Sequence, residues 1–312
     1  MLNILIAIAP IFVLIVLGYG LRRGDIPSLE FWNLNDRLVY WVLFPAMLFY
    51  KMSTTAFSTQ LVGDYAVVMV VGLLSAVAYA LLCARFSGYS PAVNSSILQG
   101  ATRHNAFIAL AICDVLFGAE GLALGTLITA ILIPATNISV VSLMVVMLRK
   151  PTSGNIVLAI LKDLARNPLI LAVALGVASN WAGLGEIPVL HEVCLLLGGA
   201  ALPVVLMCVG ANIRIKEMAA STLPTLLAIA GKMIVFPATI MGLCLYLDMS
   251  EIQTMVALVF GCVPTAANGY TLARQMGGDA PLMAAIVTLQ TGLSFIVLPA
   301  FILVAQAYFQ SL

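Results

Sequence analysis

Two short polar stretches interrupt an otherwise apolar chain, and the residue types in them suit the recognition of an anion. The first holds Asn94, Ser95, Ser96, Gln99, Gly100, Thr102, Arg103, His104 and Asn105. The second reads Gly261-Cys262-Val263-Pro264-Thr265-Ala266-Ala267-Asn268-Gly269. Arg103 offers a planar, permanently charged fork that can hold a carboxylate by two parallel hydrogen bonds. Histidine is the residue type that can titrate near neutral pH, which makes His104 a candidate for proton coupling, with Asp114 as a second candidate. Pro264 removes a backbone donor and clashes with the preceding turn, so a kink or break over 264–269 is expected, with Asn268 beside it. Backbone groups freed by a break inside lipid are tolerated only where they line a cavity, and there they serve as ligands.

Other polar residues lie deep in apolar runs. Lys232 is twelve residues into one of them, too far for easy snorkelling. Gln99, Asn137 and Gln290 either line a polar route or bond between helices. The candidate substrate-binding set is therefore Arg103, Asn105, Gln99, Pro264, Asn268, Lys232, Gln290 and Asn137. Each has a purely structural reading. Pro264 could only kink a packed helix, with Asn105 and Asn268 capping free backbone groups. Arg103 could sit in a permanent ion pair, although Asp114 is roughly three turns away on the same helix. Lys232 could hold a helix end or a broken-helix carbonyl, and His104 could be a buried neutral ring.

Nothing in the chain resembles an enzyme's machinery. No nucleophile, base and orienter stand in a recognisable pattern, and there is no glycine loop with Lys-Ser/Thr to hold ATP phosphates. No cofactor is expected, only a coupling ion, H+ or Na+. Cys83, Cys113, Cys194, Cys208, Cys244 and Cys262 all fall in apolar runs without metal-ligand spacing and read as small core residues.

The elements that must position these residues are membrane helices. Of 312 residues, 62% are hydrophobic and 9% charged, against roughly 25% charged in soluble domains. The runs are apolar on every face, unlike the alternating strands of a barrel. They predict helices near 4–21, 35–52, 63–85, 92–117 and 120–148, then a polar linker with Arg149, Lys150, Pro151, Ser153 and Gly154, then helices near 167–183, 191–212, 221–247, 252–275 and 280–308. The first run has no positive residues before it, so it reads as an anchor rather than a cleaved leader.

Charge placement orients this topology. With ten spans, Arg22, Arg23, Arg37, Arg85, Arg149, Lys150, Lys162, Arg166, Arg214, Lys216 and Arg274 share one side, and only Lys51 lies opposite. The positive-inside rule then puts both termini outside the cytoplasm and the linker within it. An error of one span would scatter the charges to both sides.

The halves also resemble each other. Leu43-Phe44-Pro45-Ala46-Met47-Leu48 matches Ala201-Leu202-Pro203-Val204-Val205-Leu206, and Thr126-Leu127-Ile128-Thr129 matches Thr288-Leu289-Gln290-Thr291 at nearly the same spacing. Five spans per half, an odd number, make the repeats inverted, as in many secondary transporters. The expected fold is all-α and integral to the membrane: repeats over 1–148 and 167–312, a linker over 149–166, and helices 4 and 9 broken.

Taken together, Gly100 to Ala109 with central Asn105, Val263 to Asn268 running on to Gly277-Gly278-Asp279, Phe44-Pro45, and Lys232 to Pro237 resemble the auxin efflux carrier family over the whole chain. The resemblance implies a fold like that of bile-acid sodium symporters. Helices 1, 2, 6 and 7 would form a scaffold, helices 3–5 and 8–10 a transport domain, and helices 4 and 9 would cross, usually in a homodimer joined through the scaffold. Plant members carry a proline at both crossings, whereas helix 4 here has none between Pro91 and Pro134. The short linker resembles that of bacterial members linked to malate or malonate.

The expected function is thus a secondary carrier of a small organic anion, a carboxylate such as malate or malonate. It would work by alternating access, elevator-like, in a bacterial cytoplasmic membrane among lipids and without nucleic-acid partners. The alternatives are an uncoupled channel, facilitator or sensor on the same fold, or an exporter of an auxin-like aromatic carboxylate.

Overall fold

A computed structural model describes residues 2–148, 162, 164–184, 186–217 and 222–311. The linker residues Arg149, Lys150, Pro151, Ser153 and Gly154 lie outside the described residues. The described chain is helical: α1 (Leu2–Arg23), α2 (Leu29–Leu38), α3 (Phe44–Thr54), α4 (Thr59–Phe86), α5 (Pro91–Thr102), α6 (Ala106–Met147), α7 (Pro168–Trp181), α8 (Leu190–Ala211), α9 (Thr222–Ala230), α10 (Phe236–Tyr246), α11 (Glu251–Cys262), α12 (Asn268–Met276) and α13 (Ala280–Gln310). Six helical stretches among them are long and apolar enough to cross a bilayer, and α7 and α11 are shorter apolar helices. Large apolar side chains such as Leu175, Leu196, Val146 and Ile234 stand exposed, as lipid-facing surface requires.

Local chemistry sets where helices start, widen and stop. Ser58, Ser90 and Ser250 cap α4, α5 and α11, each accepting a hydrogen bond from the amide three residues on. The cap of α11 is reciprocal, since the Gln253 side chain returns to the Ser250 amide at 3.0 Å. Proline governs the widened turns. Pro45 and Pro237 cannot donate to the carbonyl four residues back, and the turn before each opens into a π segment, Val39–Leu43 and Gly231–Val235. These join α2 to α3 and α9 to α10. Gly118, at φ 59°, ψ −148°, breaks the course of α6 into two limbs, a backbone geometry open essentially to glycine alone.

Two packing groups flank the site. In one, α1 lies along α8, and α3 packs on α7 and α8. There the backbones touch: a Cβ on Gly18 would strike the Met207 carbonyl, and one on Gly210 would strike that of Ile15. At one end of this group a polar lock ties α3, α7 and α8. The Ile187 amide donates to His191 Nδ1 at 2.9 Å, which leaves Nε2–H to donate to Ser53 Oγ at 2.9 Å, while Asn180 Nδ2 donates to the Ser53 carbonyl at 2.9 Å. In the other group, α11 packs against α6, α10 and α13, and α5 against α4 and α9.

Candidate substrate cavity at the paired helix breaks

Helix breaks stand at both polar stretches. After α5 the backbone leaves the helix at Arg103 (φ −71°, ψ 151°), and after α11 it does so at Val263 (φ −66°, ψ 151°). The first break forms without a proline. Asn105 supplies the reason: its side-chain oxygen accepts from the amides of Phe107 and Ile108 at 3.1 and 3.2 Å, so α6 can start afresh. The break at 263–267 contains Pro264, as expected from its residue types.

The two breaks are bonded to each other. The Asn105 amide donates to the Pro264 carbonyl at 2.8 Å, and Thr265 Oγ1 donates to the Gly100 carbonyl at 3.0 Å. Gln290 of α13 closes the junction, accepting from the Thr265 amide at 2.9 Å and donating to the Gly100 carbonyl at 2.8 Å. Fully buried carbonyls and amides that the breaks release are thereby satisfied, which in a low-dielectric interior is worth more than in water. Small residues make room: a Cβ on Gly100 would come within 2.7 Å of Ile286 Cγ2.

Beside this junction lies a cavity of about 300 Å³ between the two packing groups. Arg103, His104, Asn105, Asn137 and Asn268 line it from one side. Arg103 is 8% exposed; its Nη2 donates to Asn137 Oδ1 at 3.2 Å, and its Nη1 has no partner among the described residues. Both ring nitrogens of His104 are likewise buried without a partner there. A buried cation with donors left over is costly unless something negative completes it.

Not every expected residue reaches the cavity. Pro264 contributes through the carbonyl that holds Asn105, and Gln290 is committed to the junction. Gln99 is fully buried nearby, both amide atoms without partners among the described residues. Lys232, fully buried, donates to the Phe260 carbonyl at 3.1 Å and lies 4.3 Å from the Phe236 ring centroid. It therefore holds the last turn of α11, the structural alternative raised for it above. Asp114 lines a different space of about 350 Å³, with Lys51, Tyr50 and Pro203.

The structure adds residues that the sequence reading passed over. Asp36, Tyr40, Thr136, Asn167 and Asn212 also line the cavity. Asn212 Nδ2 donates to Asp36 Oδ2 at 2.6 Å, and Asn167 caps α7 through the Leu169 amide at 3.0 Å. Asn212 further lines a recess of about 220 Å³ bearing Arg22, Arg23, Arg214 and Lys216. The cavity thus adjoins the end of the molecule where basic residues collect.

Residues 3–302 match the family described as membrane transport protein. The chain belongs to that family. The match covers the stretches that carry the auxin efflux carrier resemblance. An uncharacterized transporter of Methanothermobacter thermautotrophicus is similar to the chain at 24% identity over 292 residues, which is 93% of this chain and 94% of the relative. Members of the family are membrane transporters, and the apolar helices described above are those of a multi-pass membrane protein.

Proposed function

We propose that the protein is a secondary carrier for a small organic anion, a carboxylate of the malate or malonate kind, bound at Arg103 in the cavity between the two packing groups. The observation that carries this reading is the buried Arg103 guanidinium, held by Asn137 at one nitrogen and left unpartnered at the other among the described residues. A cavity of about 300 Å³ suits a small solute, since pockets for drug-sized ligands run from roughly 300 to 1,000 Å³.

The same reading takes the helices as ten passes in two inverted repeats. Each π segment with its flanking helices makes one pass, each broken pair makes one, and α6 makes the second half of one and all of the next. In support, α5 and α11 are both 12-residue helices capped by a serine and ended by the same backbone geometry. The group of α1, α2, α3, α7 and α8 serves as scaffold, and the group bearing both breaks moves against it. With basic residues inside, the cavity faces the cytoplasm and both termini lie outside it, in a bacterial cytoplasmic membrane.

Counterflow in proteoliposomes tests the reading. Saturable exchange of labelled malate or malonate, lost in Arg103→Ala while the protein stays folded, supports it. Non-saturating conductance would identify a channel instead.

A further inference from the structure

The cavity carries two opposite charges on two different packing groups. Arg103 lines it from the side of the breaks. Asp36 of α2 lines the same space, and among the described lining residues it is the sole carboxylate. It is braced from behind by α8: Asn212 Nδ2 donates to Oδ2 at 2.6 Å, and the Cys208 thiol lies beside it. An ionised carboxylate offers roughly four acceptor sites, so these two contacts leave capacity toward the cavity. The other titratable groups around that space are His104 and Tyr40.

A site shaped only for negative charge would not set a carboxylate in the same cavity as its arginine. Like charges repel strongly where water is scarce, and such a group rejects the wrong ligand as much as it selects the right one. What satisfies both poles is a molecule with an anionic group for Arg103 and a hydrogen-bond donor for Asp36.

Resting on the carrier reading, we infer that Asp36 is a specificity residue of the site. It accepts a hydrogen bond from a hydroxyl, ammonium or protonated carboxyl group, so the cavity takes small carboxylates with a single net negative charge and rejects full dianions. A dicarboxylate then binds with one of its carboxyls still protonated, that proton shared with Asp36, and crosses the membrane carrying it.

The test compares three probes in proteoliposomes at neutral pH: lactate, its analogue propionate lacking the hydroxyl, and malonate. The wild-type protein prefers lactate over propionate by about tenfold or more, because a site built to bond a hydroxyl discriminates against its absence, and prefers lactate over malonate. Asp36→Asn, of equal size but uncharged and able to donate, weakens the lactate preference over propionate, because its amide oxygen is a poorer acceptor than a carboxylate, and raises malonate relative to lactate by about tenfold. Ratios are read within one preparation, so loss of folded variant does not move them. Equal treatment of lactate and propionate by the wild type overturns the inference without any variant. A uniform fall for all three probes in Asp36→Asn also overturns it, as the mark of a residue that only braces Asn212. If the wild type exchanges no carboxylate, the carrier reading falls, and this inference with it.

Discussion

The backbone amide of Asn105 donates to the carbonyl of Pro264 at 2.8 Å, joining residues that lie in opposite halves of the chain. Because this bond is made by backbone alone, its partners are fixed by where each helix stops. Side chains decide that.

Asn105 stops one helix and starts the next, so its side chain has two separable roles. Asn105→Ala orphans the Phe107 and Ile108 amides and is expected to destabilise the protein by about 1–2 kcal/mol. Asn105→Asp keeps the accepting oxygen and should restore most of that stability. It places a negative charge in the cavity, so anion exchange stays low. Thermal unfolding in detergent, paired with counterflow, separates the two effects.

Arg103 and Asn137 form a unit through one hydrogen bond of 3.2 Å. Arg103→Ala is expected to cut exchange by about a hundredfold or more, the loss of a charge-assisted contact of roughly 3 kcal/mol. Asn137→Ala, which only releases one nitrogen of that fork, should cost about tenfold or less. In the double variant the second change adds little, because residues in one network do not act independently. Matching single and double losses in measured KM would confirm it; simple additivity would not.

Gln290 is a pure test of the junction. Its amide meets the Thr265 N–H and the Gly100 carbonyl, both buried. Gln290→Met preserves bulk but leaves both groups unpaired, at about 1–3 kcal/mol each. A lowered melting temperature is expected, along with faster hydrogen exchange at Thr265.

Lys232 makes the opposite forecast. It bonds the Phe260 carbonyl and does not line the cavity. Lys232→Met is expected to leave KM within about twofold, since a lost contact that the substrate never makes does not enter binding. A large rise in KM would return Lys232 to the substrate site.

How much of this could be read from residue types is uneven. Arg103, His104, Asn105, Asn137 and Asn268 were legible as cavity residues because each is polar inside an apolar run, where only function or tight pairing tolerates it. Asp36, Asn167 and Asn212 carried the same polarity but fall at the ends of apolar runs, Asn167 and Asn212 as helix caps and Asp36 in the polar stretch that opens its helix. There polar residues are the rule, so hydropathy gave no contrast. The break at 103–105 was legible as chemistry rather than geometry. Without a proline, the local cap by Asn105 marks where the helix restarts, whereas its bond to Pro264 joins distant segments, and a single sequence does not print such pairings. Lys232 was visible as a deep cation, yet whether such a side chain meets a solute or a carbonyl depends on the neighbouring helix.

At Gly18 and Gly210, α1 and α8 meet backbone to backbone. At these two points no side chain lies between the helices to swap rotamers. Across the cavity, the junction of Asn105, Pro264, Thr265 and Gln290 likewise ties the segment that bears Arg103 to the one that bears Asn268.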